Sequence, residues 1–475
     1  MLLEFCCKNY KTFRDEAAFS LIPYLRLRDL PYSILKEKVQ QKEYKALSCA
    51  VIYGPNASGK TNLIEAMDLF RCIVESGDIL DRPGRFNPNP VASNLSVVPN
   101  INASKNEPVV FSISFITDNK LVDYELGLKL GAFMDRSFSR QVAFEKLYLN
   151  DDLIFDRAEA KINKINFSVS DLFNKNSTRA EIIKRKAKEM EGMKEIVQKN
   201  LAPEDLFLTN GFKSSINRPL AETVINWITQ SFSTFHSSQY MSTFPGVPLE
   251  ERQIVFPRAE IIKALQEFGV NHNRIGYAKL QEGKGPRKMS KIEVDKKSYL
   301  LPADMFESQG TLRFLDLIPV LFEAFRKGET VVIDEFDASL HPMALMSIIK
   351  AFHNDEINLN GAQLVFNTHN PIFLRSDLFR RDEIKFVDRD KQTGDSELYQ
   401  LSDFKTNSSE PVRNTSAYMK NYFVHRYGAI EDIDFSELFQ VAAKPAKEPL
   451  LVKDIEACSA TKSRRKKKPE EPISE

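Results

Sequence analysis

The stretch VIYGPNASGKTN, residues 51–62, decides how this chain folds. Its spacing, Gly54-x-x-x-x-Gly59-Lys60-Thr61, is that of a phosphate loop: backbone N–H groups wrap phosphates, the lysine reaches the outer ones and the threonine hydroxyl holds Mg2+. The preceding run KALSCAVIYG (45–54) is rich in β-formers and predicts a strand. The following run KTNLIEAMDLFRCIVES (60–76) predicts a helix, with Leu63, Ile64, Met67, Phe70, Ile73 and Val74 on one buried stripe. That helix would turn its positive end toward the same loop. Gly54, Pro55, Asn56, Ala57, Ser58, Gly59, Lys60, Thr61 and Asn62 are therefore the candidate nucleotide contacts, with ATP as ligand and Thr61 on Mg2+. The competing reading is a plain glycine turn joining strand to helix.

A second motif weakens that competitor. TVVIDEFDASLHP (330–342) is a buried-strand run ending in two acids. A strand that ends at a phosphate site needs one carboxylate to hold Mg2+ and another to activate water. Asp334 takes the metal role and Glu335 that of general base; read alone, the pair is an ordinary solvated strand end. Ahead of it, in FESQGTLRFLDLIPVLFEAF, Ser308 and Gly310 open an amphipathic helix whose first N–H groups suit an anion, although serine serves equally well as a simple N-cap. Behind it, AQLVFNTHNPIF delivers His369 at a strand end, where an imidazole can meet a γ-phosphate. A lone histidine there is usually structural; the fixed order of the four features is what informs.

Around these motifs the chain predicts an α/β protein. Residues 2–22 alternate as strand, as do PVVFSISFI and LVDYELGLKL, and 82–108, with five prolines, reads as an extended loop unable to hold a helix. From 301 the expected order is helix 308–327, strand 330–333, helix 339–353 and strand 363–367. The resulting division is an N-terminal part with the phosphate loop (1–150), a mainly helical insertion (151–300), a C-terminal part (301–440) and a basic, disordered tail (441–475). The insertion includes a charged helix near 178–200 of only about six turns, too short for a coiled-coil arm. No internal repeat is visible.

Composition excludes more than it identifies. With 475 residues and 66 Lys+Arg against 65 Asp+Glu, the chain can bury real cores, and bulk charge selects no partner. Five cysteines, at 6, 7, 49, 72 and 458, fit neither a disulfide framework nor a zinc site and point to a reducing cytoplasmic setting. No signal-peptide pattern and no run of 18 apolar residues suggests a membrane. The tail segment Lys462–Lys468 carries six positive charges and could touch nucleic acid electrostatically, though such runs are more often simply solvated.

The stretches FCCKNYKTFRDEAAFSL, GPNASGKTNLIEAM, SQGTLRFLDL, VVIDEFDASLHP, AQLVFNTHNPIFL and YFVHRYGAI together resemble ATP-binding-cassette (ABC-type) ATPases of the RecF/SMC/OLD class. Within that class they are most similar to the bacterial abortive-infection group, with AbiL, RloA, PARIS and Septu relatives. The resemblance covers about 1–150 and 301–430. It implies an ABC-type P-loop ATPase head, with Ser308 and Gly310 in the signature motif, Asp337 in the D-loop and His369 as the switch. Gln309 and Thr311 depart from the transporter form of the signature, and Gln141 is the one candidate for a Q-loop glutamine. It also implies that ATP lies between the phosphate loop of one protomer and the Ser308 helix of another, so that hydrolysis needs a homodimer or higher homo-oligomer.

Three functions compete on this basis. The first is an antiphage, abortive-infection ATPase that senses infection through a phage-encoded trigger and controls a separate toxic effector, a nuclease. The second is a RecF/SMC-like DNA-binding ATPase of repair or recombination. The third, a transporter motor, is disfavoured by the RecF-like motifs, including Asn62 directly after the loop threonine. A fused nuclease is disfavoured because only 106 residues follow His369; Asp388-x-Asp390 in KFVDRD reads as a hairpin end.

Overall fold

The computed structural model describes all residues except 25–26, 28–29, 82–89, 134, 136–137, 167–191, 193, 237–253, 256–258, 271–273, 279–286, 296, 405–417, 432–433 and 443–475. It divides into a unit over Met1–Ile430 and a second over Glu431–Glu475, in which one helix, Ser436–Ala442, is described.

The first unit is built on a six-stranded, mostly parallel sheet. In chain order its strands are β1 (Cys49–Tyr53), β2 (Phe232–Phe235), β3 (Thr330–Ile333), β4 (Gln363–Asn367), β5 (Ile384–Arg389) and β6 (Ser396–Gln400). Their spatial order is β2-β3-β4-β1-β5-β6, parallel throughout except for the β5–β6 hairpin. Every residue of β1, CAVIY, is buried, as a strand covered on both faces requires. Alternation divides its side chains between two cores. Ala50 and Ile52 join the core on one side, whereas Cys49, Val51 and Tyr53 join the core on the other.

The helix after the loop, α1 (Lys60–Ser76), packs in the first of these cores against a seven-stranded antiparallel sheet. That sheet comprises Leu2–Lys8, Ala17–Ser20, Val109–Thr117, Lys120–Lys129, Gln141–Leu149, Asp152–Ala158 and Lys161–Ile165. Phe70 of α1 meets Phe5, Phe111 and Tyr124 of the sheet at ring distances near 6 Å. The second core holds α2 (Gln309–Lys327) and α3 (Pro342–His353) on the opposite face of the parallel sheet. A four-stranded sheet, ending in Arg287–Val294 and Lys297–Pro302, adjoins α2.

The α/β class is as expected, but several local expectations are corrected. The described residues of 151–300 hold strands beside their helices. Asp152–Ala158 and Lys161–Ile165 extend the antiparallel sheet, β2 edges the parallel sheet, and the four-stranded sheet lies in the same span. Alternating runs such as DLIFDRA form strands because neighbours far away in sequence cover one of their faces. The helices there include residues 194–200, Arg218–Asn226 continued by Trp227–Ser231, and Ala259–Glu267, while 178–191 of the expected charged helix lie outside the described residues. The helix expected from 339 begins at Pro342, with His341 as N-cap and Ser339 left-handed at φ 63°. One helical turn, Pro90–Ser93, occurs inside the proline-rich loop. Asp390 closes the β5–β6 hairpin by accepting from Gln392 and Thr393 N–H, as its reading as a hairpin end anticipated. Gln141 opens a strand of the antiparallel sheet opposite Lys129. The basic run Lys462–Lys468 lies outside the described residues.

Candidate nucleotide site

Register brings the motif residues to one end of the parallel sheet. Phe366 of β4 pairs with Ile333 of β3 on one side and Val51 of β1 on the other, while Ile333 also pairs with Phe235 of β2. The residues just beyond these strands, Gly54, His236, Asp334 and Thr368, are therefore brought to the same edge. This is the carboxyl edge at which parallel α/β sheets hold ligands.

The loop itself is shaped by backbone constraints. Gly59, the residue before α1, has φ 114°, and a Cβ there would stand 2.8 Å from Thr12 Oγ1 and 2.9 Å from Ser396 Oγ. Those two residues brace the loop from outside. Ser396 Oγ donates to Ser58 O at 2.5 Å, Asn62 Nδ2 donates to Thr12 Oγ1 at 3.0 Å, and Ser396 N donates to Thr12 O at 2.7 Å. Asn56 and Ala57 at the loop tip are exposed, and Ala57 is left-handed at φ 59°.

Lys60 is buried, and its Nζ donates to the loop carbonyls of Gly54 at 2.9 Å and Pro55 at 2.7 Å. Burial lowers its pKa to about 8 against the opposing pull of Asp334 and Glu335. Thr61 Oγ1 donates to Asp334 Oδ1 at 3.1 Å, so the two candidate metal ligands are already neighbours. Burial alone would raise the Asp334 pKa; bonds from His236, Asn367 and Thr61 outweigh it and hold the carboxyl below its usual range. Glu335 is half-buried with φ 49°, a left-handed conformation that costs a non-glycine residue of order 1–3 kcal/mol and is typical of functional sites. Its N–H is taken by Asn367 Oδ1 and its carbonyl by the Arg313 guanidinium of α2. His369 is exposed just beyond β4. Partial burial and the charge of Lys60 lower its pKa, opposed by Asp337, Glu335 and Asp334, so all five groups share one electrostatic neighbourhood.

The signature helix meets the same region by another route. Ser308 is the N-cap of α2: its Oγ accepts from Thr311 N at 3.0 Å, so the simple capping role is fulfilled. Ser308 remains exposed, while Gly310 is buried against the segment after Asp337, where a Cβ would lie 2.3 Å from Ser339 O.

Sequence reading missed three residues. Asn367 and Arg313 clamp the acid pair, and the buried His236 stands between Asp68 of α1, 3.3 Å away, and Asp334, 3.9 Å away. Burial alone would lower the His236 pKa; the two carboxylates instead carry it to about 9. Only the NTHNP context of Asn367 hinted at a site. Arg313 stands in the quoted SQGTLRFLDL without a role being legible there, and His236 carried no motif, since its place arises from pairing of β2 with β3.

The residues present fit a magnesium nucleotide. Thr61 and Asp334 supply the hard oxygen ligands that Mg2+ takes. Lys60 and the start of α1 supply the positive charge that phosphates need, and the buried Ser58 Oγ within the loop has no hydrogen-bond partner among the described residues. Among the described residues no helix is long and apolar enough to cross a membrane.

Among solved structures, the chain is similar to the SMC head domain from Thermotoga maritima, at TM-score 0.35 and 12% identity over 84% of this chain and 98% of that one. It is also similar to a SmcHead bound to the C-winged helix domain of ScpA, at TM-score 0.34 and 13% identity over 84% and 97%. No curated protein matches the chain. The sequence family described as "AAA domain, putative AbiEii toxin, Type IV TA system" matches residues 49–189 and 199–375, which include the phosphate loop, Ser308, the Asp334–Glu335 pair and His369. The chain belongs to this family of AAA-type P-loop ATPases.

Proposed function

We propose that this protein binds ATP with Mg2+, hydrolyses it in sites completed by a second copy, and thereby controls a separate toxic effector, a nuclease, in antiphage defence. The observation that carries the ATPase reading is the meeting of Lys60, Thr61, Asp334, Glu335 and His369 at one sheet edge. In this reading the loop N–H groups and Lys60 bind the phosphates, Thr61 and Asp334 hold the metal, Glu335 takes the proton of the attacking water, and His369 contacts the γ-phosphate. The metal, when bound, neutralises phosphate charge. The exposed N-terminus of α2 at Ser308, where the buried Gly310 packs against the turn after Asp337, is the surface offered to the nucleotide of a partner copy. The defence role is supported by the words "putative AbiEii toxin, Type IV TA system" in the family description and by the resemblance of the motifs.

The test is the mass in solution of Glu335→Gln protein, with and without ATP, alone and with the product of the adjacent gene. Glu335→Gln should retain ATP and form a larger assembly that captures that partner, and Lys60→Ala should do neither. A plain dimer indifferent to the neighbour, together with tight ATP-dependent DNA binding, would replace the defence reading with the repair one. A Glu335→Gln protein that hydrolyses ATP at the normal rate would remove Glu335 as the base.

A further inference from the structure

The histidine that follows β2 occupies a place its sequence, SFSTFH (231–236), does not advertise. Parallel pairing of Phe235 with Ile333, and donation from Asp334 N to Phe235 O at 2.7 Å, put the residue after β2 beside the residue after β3. His236 is 6% exposed there. Its Nε2 lies 3.3 Å from Asp68 Oδ2 of α1, and its Nδ1 lies 3.9 Å from Asp334 Oδ2, a charge contact rather than a full hydrogen bond. The other oxygen of Asp334, Oδ1, accepts from Thr61 and Asn367. The carboxylate is thus held with one oxygen toward the candidate metal ligand Thr61 and the other toward the imidazole.

The plain alternative is a structural tie between the edge strand and α1. That tie already exists without the imidazole, because Thr234 Oγ1 of β2 donates to Asp68 Oδ1 at 2.6 Å. Contact with Asp334 adds nothing to it, whereas it does restrict the rotation of the carboxylate on which metal binding depends. Groups that orient metal ligands in this way typically change metal affinity or activity 10–100-fold. We propose that His236 is a positioning residue for the metal-holding carboxylate, fixing Asp334 through Nδ1 and anchored to α1 through Nε2. The inference rests on the proposed ATPase function and assigns to the end of β2 a part in its metal step.

The two ring nitrogens can be separated by amides. An asparagine at 236 places its N–H2 near the Nδ1 position, toward Asp334; a glutamine places it near Nε2, toward Asp68. Binding of ATP by the full chain is measured by calorimetry in EDTA and across a Mg2+ titration, with Mn2+ EPR of the ATP complex as a spectroscopic check. His236→Ala and His236→Gln should leave ATP binding in EDTA within about twofold, raise the half-saturating Mg2+ concentration by about 10- to 100-fold, and broaden the Mn2+ signal. His236→Asn should recover most of the lost affinity. Thr234→Val, which breaks the strand-to-helix tie alone, should lower the melting temperature and leave the Mg2+ dependence unchanged. An unchanged Mg2+ titration in His236→Ala, or the same shift in Thr234→Val, would overturn the positioning role while the ATPase reading stands. Absence of Mg2+-supported ATP binding in the wild-type protein would overturn the ATPase reading and this inference with it.

Discussion

Asn367 donates through Nδ2 to Asp334 Oδ1 and, through its own Oδ1, accepts the backbone N–H of Glu335. One buried amide at the end of β4 therefore sets both acids at the end of β3. It works because the two strands are in register and Asn367 stands one step beyond the Phe366–Ile333 pair. Replacing it with Asn367→Leu keeps much of the volume and removes both bonds. Hydrolysis should fall about 10- to 100-fold while ATP affinity changes little, because Lys60 and the loop are untouched. Steady-state ATPase assays beside fluorescent-nucleotide titration check this, and an unchanged turnover would reduce the clamp to packing.

At the signature helix, close approach rather than conformation requires glycine. A Cβ on Gly310 would stand 2.3 Å from Ser339 O, a backbone atom that cannot swing aside. Gly310→Ala should destabilise the protein by about 1–3 kcal/mol, as overpacking does, and displace the turn after Asp337. Ser308→Ala, which loses only a cap, should cost about 1 kcal/mol. Urea denaturation of the two variants gives the order; equal losses would mean that the helix start moves freely.

On the same helix, Asp316 is paired with Lys288 of the four-stranded sheet at 2.5 Å. Burial nevertheless outweighs that pairing and raises the Asp316 pKa to about 6 from 3.8. The folded state thus binds this proton more tightly than the unfolded state. The stability it contributes is complete below about pH 4 and is lost as pH rises through 6, a fall of roughly 3 kcal/mol if no other group compensates. Asp316→Asn cannot ionise, so the stability difference between wild type and variant should decline from pH 4 to pH 7 in denaturant titrations. A difference independent of pH would show that Asp316 titrates normally.

Local chemistry carried much of the reading. The loop, α1 with its apolar stripe, and the strand delivering Asp334 and Glu335 were legible because each is a short contiguous pattern whose meaning depends on few distant neighbours. The α3 boundary was misread by three residues, since an apolar pattern does not register the left-handed turn at Ser339. In the span 151–300 the strands standing among the helices were not legible. Its strand β2 pairs with β3 at a separation of 98 residues, Phe232 with Thr330, and a window of sequence carries no trace of such pairing.

By itself, the sequence determined which residue types stand at the strand ends and in what order: the glycine loop with Lys60 and Thr61, the Ser308 helix, the paired acids and His369. These are properties of a polymer read a few residues at a time, through side-chain periodicity and the backbone freedom of glycine. Only the tertiary structure decided which of them meet, because parallel register brings β2, β3, β4 and β1 to one edge although paired residues stand 33, 98 and 315 apart in sequence, as in Thr330–Gln363, Phe232–Thr330 and Cys49–Leu364. That edge recruits His236, Asn367 and Arg313, whose roles are defined by distance in space and by burial away from water, and so are not spelled out by the residues beside them in sequence.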